Sequence, residues 1–161
     1  MALADVNIKS PAGNNLPSAW TFPTKAGNTN IKAGEPVKFG TSTSATYAVA
    51  CADADCSTSA PILGIATSTS TETASVDGTV DVQMPTPGLV FACKAKTASQ
   101  FDTAAEIQTF IGTSTVFDLT SSVYTVDTGA TGATSGLYIV GGDPLTSTVY
   151  FTIRPTCLQS N

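Results

Sequence analysis

The chain has 161 residues, enough for one domain of ordinary size or for two small β-modules that share a core. Charged residues make up 12% of it, about half the usual share, and the net charge is −5. The lysines are scattered and Arg154 is the only arginine, whereas binding to a nucleic-acid backbone needs clustered cations. No run approaches the ~18 apolar residues of a membrane span. We therefore predict neither nucleic acid nor a membrane as a partner.

The first part of the chain has the least regular pattern. Prolines, glycine and asparagines crowd the stretch Ser10-Pro-Ala-Gly-Asn-Asn-Leu-Pro and disfavour a regular element. Leu16, Trp20 and Phe22 are nevertheless bulky and apolar, and such anchors in an irregular segment dock on a surface. We predict an irregular N-terminal arm over residues 1–30 that binds a partner through these three side chains. Docking of the arm on its own domain is an equally open alternative.

After the arm, the signals are those of short β-strands. Val80, Val82 and Met84 share one face of a predicted strand, whereas Asp81 and Gln83 share the other and are expected to face solvent. Similar segments recur at intervals of about 8–15 residues and are bounded by Ser, Thr, Gly and Asp, which is typical of a sandwich or a barrel.

We therefore predict an all-β, mainly antiparallel fold over residues 31–161, with a barrel-like or sandwich core. A division into two small β-modules, 31–97 and 98–161, stays open. The predicted core consists of apolar positions that share a face at strand or helix spacing: Val80, Val82, Leu89, Phe91, Phe110, Phe151 and Ile153.

One short helix is predicted near residues 104–111. Thr103 and Glu106 have the spacing of a capping box, in which each side chain accepts a hydrogen bond from the other's free backbone amide. About two turns of helix are not stable alone, so this helix must lie on a sheet. A narrow apolar stripe precedes the terminating Gly112 and consists of Ile107, Phe110 and Ile111.

The chain has cysteines at positions 51, 56, 93 and 157 and no histidine, and their spacing fits no zinc site. We interpret them as small buried hydrophobic residues, an interpretation that suits Cys93 because it alternates in phase with Phe91. Cys51 and Cys56 flank Ala-Asp-Ala-Asp and could instead close a small disulfide loop in an oxidising medium.

Little in the sequence supports catalysis. Without histidine there is no Ser-His-Asp or Cys-His pair, and the glycine-rich residues 129–136 lack a lysine and open no helix, which indicates a hairpin tip. Asp53 and Asp55 have Asp-x-Asp spacing without the glycine and distal glutamate of an EF-hand loop, and Glu35 lacks a marked partner carboxylate. We predict that the chain is not an enzyme and has no catalytic, cofactor-binding or metal-binding residue.

Several short stretches together resemble a known family, the head decoration (cement) proteins of tailed phages, which have small β-barrel-like modules. The resemblance lies in their order along the chain: Ile31-Lys-Ala-Gly-Glu-Pro-Val, Ile62-Leu-Gly-Ile-Ala, Gly78-Thr-Val-Asp-Val and Gly88-Leu-Val-Phe. The second half looks like the end of similar phage structural proteins, in Phe117-Asp-Leu-Thr, Gly141-Gly-Asp-Pro and Val149-Tyr-Phe-Thr-Ile-Arg.

The resemblance implies a structural virion protein that binds the outer surface of an HK97-fold capsid and stabilises the head by bridging major capsid protein subunits. Proteins of this family often engage the shell through an N-terminal arm, which residues 1–30 match in position. The resemblance also implies a homo-oligomer, with a trimer favoured and a dimer second. No basic and apolar secretion signal follows Met1, so we expect synthesis in the host cytoplasm before attachment to the capsid.

Two alternatives from other functional classes stay open. The first is a surface-exposed binding or adhesin module on a virion that recognises a sugar or a host protein. The second is a glycan-active enzyme that would use Glu35 or the loop with Asp53 and Asp55. Mutation of these carboxylates in an activity assay separates the second alternative from the others.

Overall fold

The computed structural model describes residues 5–10, 18–28, 30–41 and 45–159, which form two antiparallel sheets and one α-helix. The strands are β1 Val6–Ser10, β2 Trp20–Thr24, β3 Pro36–Phe39, β4 Ala48–Ala50, β5 Gly64–Ala66, β6 Gly78–Gln83, β7 Val90–Lys94, β8 Ser114–Thr120, β9 Val123–Asp127, β10 Leu137–Asp143 and β11 Thr148–Ile153, and the helix α1 spans Ala104–Phe110. The predicted all-β, mainly antiparallel fold with one short helix is confirmed.

The two sheets are curled and form a half-barrel. The first sheet has the strand order β1-β7-β11-β10-β8-β9, and the second has the order β2-β6-β5-β3-β4. An isolated parallel bridge between Ala95 and Val126 brings the edge strand β9 back beside the end of β7. The first sheet therefore almost closes on itself, as the prediction of a barrel-like core requires.

The main core lies against the first sheet and is rich in phenylalanine. The rings of Phe91 and Phe151 stack with their centroids 6.0 Å apart, and Phe117 meets Phe151 edge-on at 5.8 Å. Of the predicted core residues, Phe110 is half-buried, and the others are buried: Val80, Val82, Leu89, Phe91, Phe151 and Ile153.

A second, smaller core contains Val80 and Val82 from one face of β6. The opposite face was expected to meet solvent, but Gln83 is only 3% exposed, so that expectation is wrong for Gln83, whereas Asp81 is partly exposed. Gln83 is paired with Ile65, which belongs to the main core, and its side-chain amide donates a hydrogen bond to the Met84 carbonyl at 3.2 Å. The end of β6 is thus covered on both faces.

The N-terminal part of the chain contributes an edge strand to each sheet. β1 pairs with β7 in the first sheet and β2 pairs with β6 in the second, so the prediction of an irregular arm is wrong for these two segments. The side chain of Val6 is buried in the main core. Pro23 argued against a strand at the sequence level, because proline cannot donate a ladder hydrogen bond. β2 is an edge strand, however, and an edge strand tolerates such a residue.

The open division into modules 31–97 and 98–161 does not match the sheets. β7 precedes this boundary, yet it pairs with β11 in the second half, with Cys93 opposite Val149. The chain starts in the first sheet, builds the second sheet and then returns to complete the first.

The helix has the predicted capping box. The Thr103 hydroxyl accepts a hydrogen bond from the Glu106 amide at 3.2 Å, and the Glu106 carboxylate accepts one from the Thr103 amide at 3.1 Å. Ile107 is buried, whereas Ile111 at the other end of the stripe is 48% exposed. Gly112 has a φ of +87° and donates to the Ile139 carbonyl at 2.9 Å, which fastens the end of α1 to β10. None of the described helices could cross a membrane.

Candidate functional site

An apolar groove lies at one end of the second sheet, where β2 and β5 begin and β3 and β6 end. Its volume is about 260 Å³. The lining residues come from five separate segments of the chain: Trp20, Phe22, Phe39, Leu63, Met84 and Gln159.

The register of β2 explains why an aromatic pair lines this groove. Trp20 lies opposite Val82 and Phe22 lies opposite Val80, so both aromatic side chains share the face of the second core. Phe22 is half-buried and meets Phe39 edge-on, with ring centroids 5.8 Å apart. Trp20 lies two residues earlier on the same face, at the start of β2, and is 64% exposed. A large aromatic surface that continues a core and remains exposed is typical of a binding site.

Hydrogen bonds hold the C-terminal wall of the groove in place. The side-chain oxygen of Gln159 accepts a hydrogen bond from the Phe39 amide at 2.6 Å. The backbone amide of Gln159 donates to the Ile62 carbonyl at 2.8 Å, beside a parallel bridge between Ile62 and Leu158. The groove is therefore formed before any partner binds, which lowers the ordering cost of binding.

Of the three side chains predicted as anchors, Trp20 and Phe22 lie together in the groove, and Leu16 lies outside the described residues. Sequence reasoning missed the lining residues from other segments. Two of them left a signal, because Phe39 alternates with the buried Val37 and Met84 alternates with the buried Val80 and Val82. Leu63 joins the site only through sheet pairing, which no local pattern reveals.

The carboxylates considered as catalytic or calcium-binding candidates hold loops in place through hydrogen bonds and an ion pair. Glu35 accepts a hydrogen bond from the Lys32 amide at 3.0 Å, and burial raises the pKa of its carboxyl group. Asp55 is buried and forms an ion pair with Lys38 at 2.6 Å, while Asp53 accepts from the Leu119 amide at 3.1 Å. Among the described residues, no group of three or more potential ligands could hold a metal ion.

All four cysteines are buried free thiols, so the interpretation as small buried hydrophobic residues is confirmed. Cys51 and Cys56 are not joined to each other. Burial raises the pKa of Cys93 to about 12 and also raises the pKa values of Cys51 and Cys56. The folded protein therefore disfavours the reactive thiolate form at these three positions.

A charge cluster joins the strands β8 and β9. The ammonium group of Lys96 lies 2.7 Å from the Asp118 carboxylate and 2.8 Å from the Asp127 carboxylate. Burial raises the pKa of Asp118, but hydrogen bonds from Lys96 and from Thr120, together with the charge of Lys96, outweigh burial and leave that pKa below its ordinary value. The cluster should therefore stabilise the fold above the ordinary pKa of an aspartate and lose this effect in acid.

We expect Lys96→Met to lower the melting temperature at neutral pH, because the buried Asp118 carboxylate loses its partner. The difference from the parent should shrink as the pH falls below about 4, where protonation of the carboxyl group removes the interaction from both proteins. Thermal melts between neutral and strongly acidic pH measure this trend. Lys94→Met is the control, since the Lys94 ammonium donates to the Thr146 carbonyl and not to a carboxylate. A pH-independent difference would contradict the assigned role of Lys96.

Comparison of the chain with protein-family models, with curated protein sequences and with solved structures finds no match. The candidate site therefore has to be interpreted from its own residues and geometry.

Proposed function

We propose that this chain is a structural protein of a tailed-phage virion that binds the outer surface of the capsid. In this proposal it stabilises the head by bridging subunits of the major capsid protein. The observation that carries the proposal is the preformed apolar groove with an exposed Trp20, which suits permanent attachment to another protein. The resemblance of the β-segments to head decoration proteins supports the choice of the capsid as the partner.

The groove fits an apolar segment of a partner. Tryptophan is among the residues that contribute most to binding energy when a partner buries them, and Trp20 stands beside the fixed rings of Phe22 and Phe39. One groove of about 260 Å³ gives a small interface, so a single copy would bind weakly. Several joined copies gain avidity because binding of the first raises the effective concentration of the others. This argument favours a homo-oligomer, and the resemblance to head decoration proteins favours a trimer, with a dimer second.

Particles lacking the protein test the bridging role directly. Undecorated heads should release their DNA at a lower temperature, or at a lower chelator concentration, than decorated heads. The reason is that packed DNA pushes outward on subunits that nothing bridges. Adding the purified protein back should restore the decorated behaviour. Equal DNA retention by the two kinds of particle would contradict the stabilising role.

A point substitution tests the groove. We expect Trp20→Ala to weaken binding to expanded heads by roughly 30-fold or more, the effect of losing an interface anchor worth about 2 kcal/mol or more. Its melting temperature should stay close to that of the parent because the side chain is 64% exposed. Co-sedimentation with heads measures the affinity.

Val76→Ala is the matched control for this test. Val76 is 62% exposed and lies before β6, at the end opposite the groove. Its removal should leave binding unchanged. Loss of binding in both variants, or in neither, would contradict the assignment of the groove as the capsid-binding site. Deletion of residues 1–22 is a poorer test because it also removes β1 from the first sheet.

The exposed Trp20 ring also favours a second candidate function, a virion surface module that binds sugars. Aromatic faces commonly line small-molecule sites, and this ring is accessible. Tyr138 and Tyr150 are less suitable, since the Arg154 guanidinium and the Lys9 ammonium lie over their rings, at 5.8 and 5.0 Å from the centroids. Competition of head binding by soluble oligosaccharides, together with retention on glycan surfaces, would favour this function over capsid attachment.

A further inference from the structure

Two buried cysteines from distant parts of the chain meet at Gly136. Cys56 lies in the loop between β4 and β5, and Cys157 ends a short 3-10 turn after β11. A Cβ atom placed on Gly136 would lie 2.6 Å from the Cβ of Cys157 and 2.7 Å from the Sγ of Cys56. Both side chains therefore cover the same face of Gly136, and the sum of these two short distances is the upper limit on the separation between the Cys157 Cβ and the Cys56 Sγ.

Backbone hydrogen bonds hold the two segments in this arrangement. The Gly136 amide donates to the Cys56 carbonyl at 2.8 Å, and the Arg154 amide donates to the Gly136 carbonyl at 2.8 Å. The Ile62 amide donates to the Cys157 carbonyl at 2.9 Å, which ties the C-terminal turn back to the loop that carries Cys56. The two cysteines thus stay neighbours in the folded protein.

The backbone of Cys56 is itself unusual. Its φ of +71° lies in the left-handed region, which a cysteine adopts only where the surrounding structure imposes it. Asp55 precedes it with a buried carboxylate in an ion pair to Lys38, and the Cys56 amide donates to the Ala60 carbonyl at 3.0 Å. The loop therefore presents the Cys56 thiol to Gly136 and Cys157 in a fixed direction.

We propose that Cys56 and Cys157 form a disulfide bond when the protein meets a disulfide oxidant such as oxidised glutathione. The thiolate of one cysteine attacks a sulfur of the oxidant, which forms a mixed disulfide and releases one glutathione thiolate. The second cysteine then attacks the protein sulfur of the mixed disulfide and releases the second glutathione. The two protein thiols are oxidised, the oxidant is reduced, and the two protons pass from the cysteines to the departing thiolates.

The bond would fasten the C-terminal turn to the loop before β5 and enclose about 100 residues, a long loop by the chain-entropy account of disulfide stabilisation. Burial of both side chains makes the exchange slow in the folded state, because the oxidant has to reach a buried sulfur and because burial raises the pKa of the Cys56 thiol. A protein made in a reducing cytoplasm would therefore carry free thiols and acquire the bond only after release into an oxidising medium.

The experiment uses the full chain, reduced and then incubated with oxidised glutathione at mildly alkaline pH. We expect two of the four thiols to disappear when free thiols are counted in denaturant, with no glutathione retained. Peptide mapping without reduction should find the peptide of Cys56 joined to that of Cys157. The oxidised protein should melt several degrees higher than the reduced protein, and dithiothreitol should reverse this shift.

Matched variants identify the pair. The double variant Cys51→Ser/Cys93→Ser should still lose two thiols on oxidation, whereas Cys157→Ser should lose none to an internal bond. The peptide map of the parent chain needs no variant, so a misfolded variant does not remove the test. Persistence of all four thiols, a stable glutathione adduct, or a bond between Cys51 and Cys56 would each overturn the proposal.

Discussion

Replacement of Phe151 by alanine is expected to lower the free energy of unfolding by roughly 3–5 kcal/mol. The Phe151 side chain has no exposed surface, and its ring contacts Phe91 on one side and Phe117 on the other. β11 pairs with β7 and β10, so its backbone cannot move inward to fill the space that the ring leaves. The cavity would therefore persist, and its cost adds to the lost transfer free energy of the ring.

Chemical denaturation, followed by the fluorescence of the single tryptophan, measures this loss. Leu145→Ala serves as the control because Leu145 is 94% exposed at the tip of the β10–β11 hairpin. A surface truncation of this kind should change the free energy of unfolding by less than about 0.5 kcal/mol. Equal stability of the two variants would mean that Phe151 does not face the core.

β11 is also the element that the sequence predicted best, and the reason is local. Its apolar residues alternate strictly, so the period of two assigned Phe151 and Ile153 to one face without knowledge of the neighbouring strands. The capping box of Thr103 and Glu106 was equally predictable, because its hydrogen bonds join residues three apart. Local rules of this kind located the helix and most of the core.

The N-terminal strands were not predictable in the same way. Their pairing partners lie far along the chain, with Phe22 opposite Val80 and Ile8 opposite Phe91. Proline and asparagine in the connecting stretch signal a break in structure, and these signals obscured the short strands on either side. The predicted solvent exposure of Gln83 was wrong for a related reason. Gln83 is covered because its partner Ile65 belongs to the main core, and this pairing is not visible in the sequence of β6 itself.

In the candidate site, too, local features were predictable and long-range pairing was not. The apolar chemistry of Trp20 and Phe22 identified them as anchors, but their position in a groove depends on the register of β2 against β6. For the cysteines, spacing along the chain drew attention to Cys51 and Cys56. The fold instead brings Cys157 to the face of Gly136 where the Cys56 thiol lies. Proximity in sequence therefore does not reveal which cysteines the fold brings together.

A second large loss of stability is expected from Gly142→Ala, by overpacking instead of by a cavity. An added Cβ on Gly142 would lie 2.1 Å from Cε1 of Phe101 and 2.6 Å from the carbonyl oxygen of Thr148. Phe101 is buried and packs against Phe110 with ring centroids 5.8 Å apart, so its ring cannot turn aside freely. The Thr148 oxygen belongs to the paired backbone of β11 and cannot move without breaking the ladder. We expect a loss of roughly 3 kcal/mol.

Gly141→Ala is the matched control, one residue earlier in the same strand. An added Cβ there would meet the Tyr150 ring at 3.8 Å, an ordinary van der Waals contact, and neither glycine has a positive φ. Since alanine restricts the unfolded chain more than glycine does, Gly141→Ala should leave stability unchanged or raise it by a few tenths of a kcal/mol, up to about 1 kcal/mol. Denaturation midpoints of the two variants should therefore shift by very different amounts. If they coincide, the ring of Phe101 does not fill the space over Gly142.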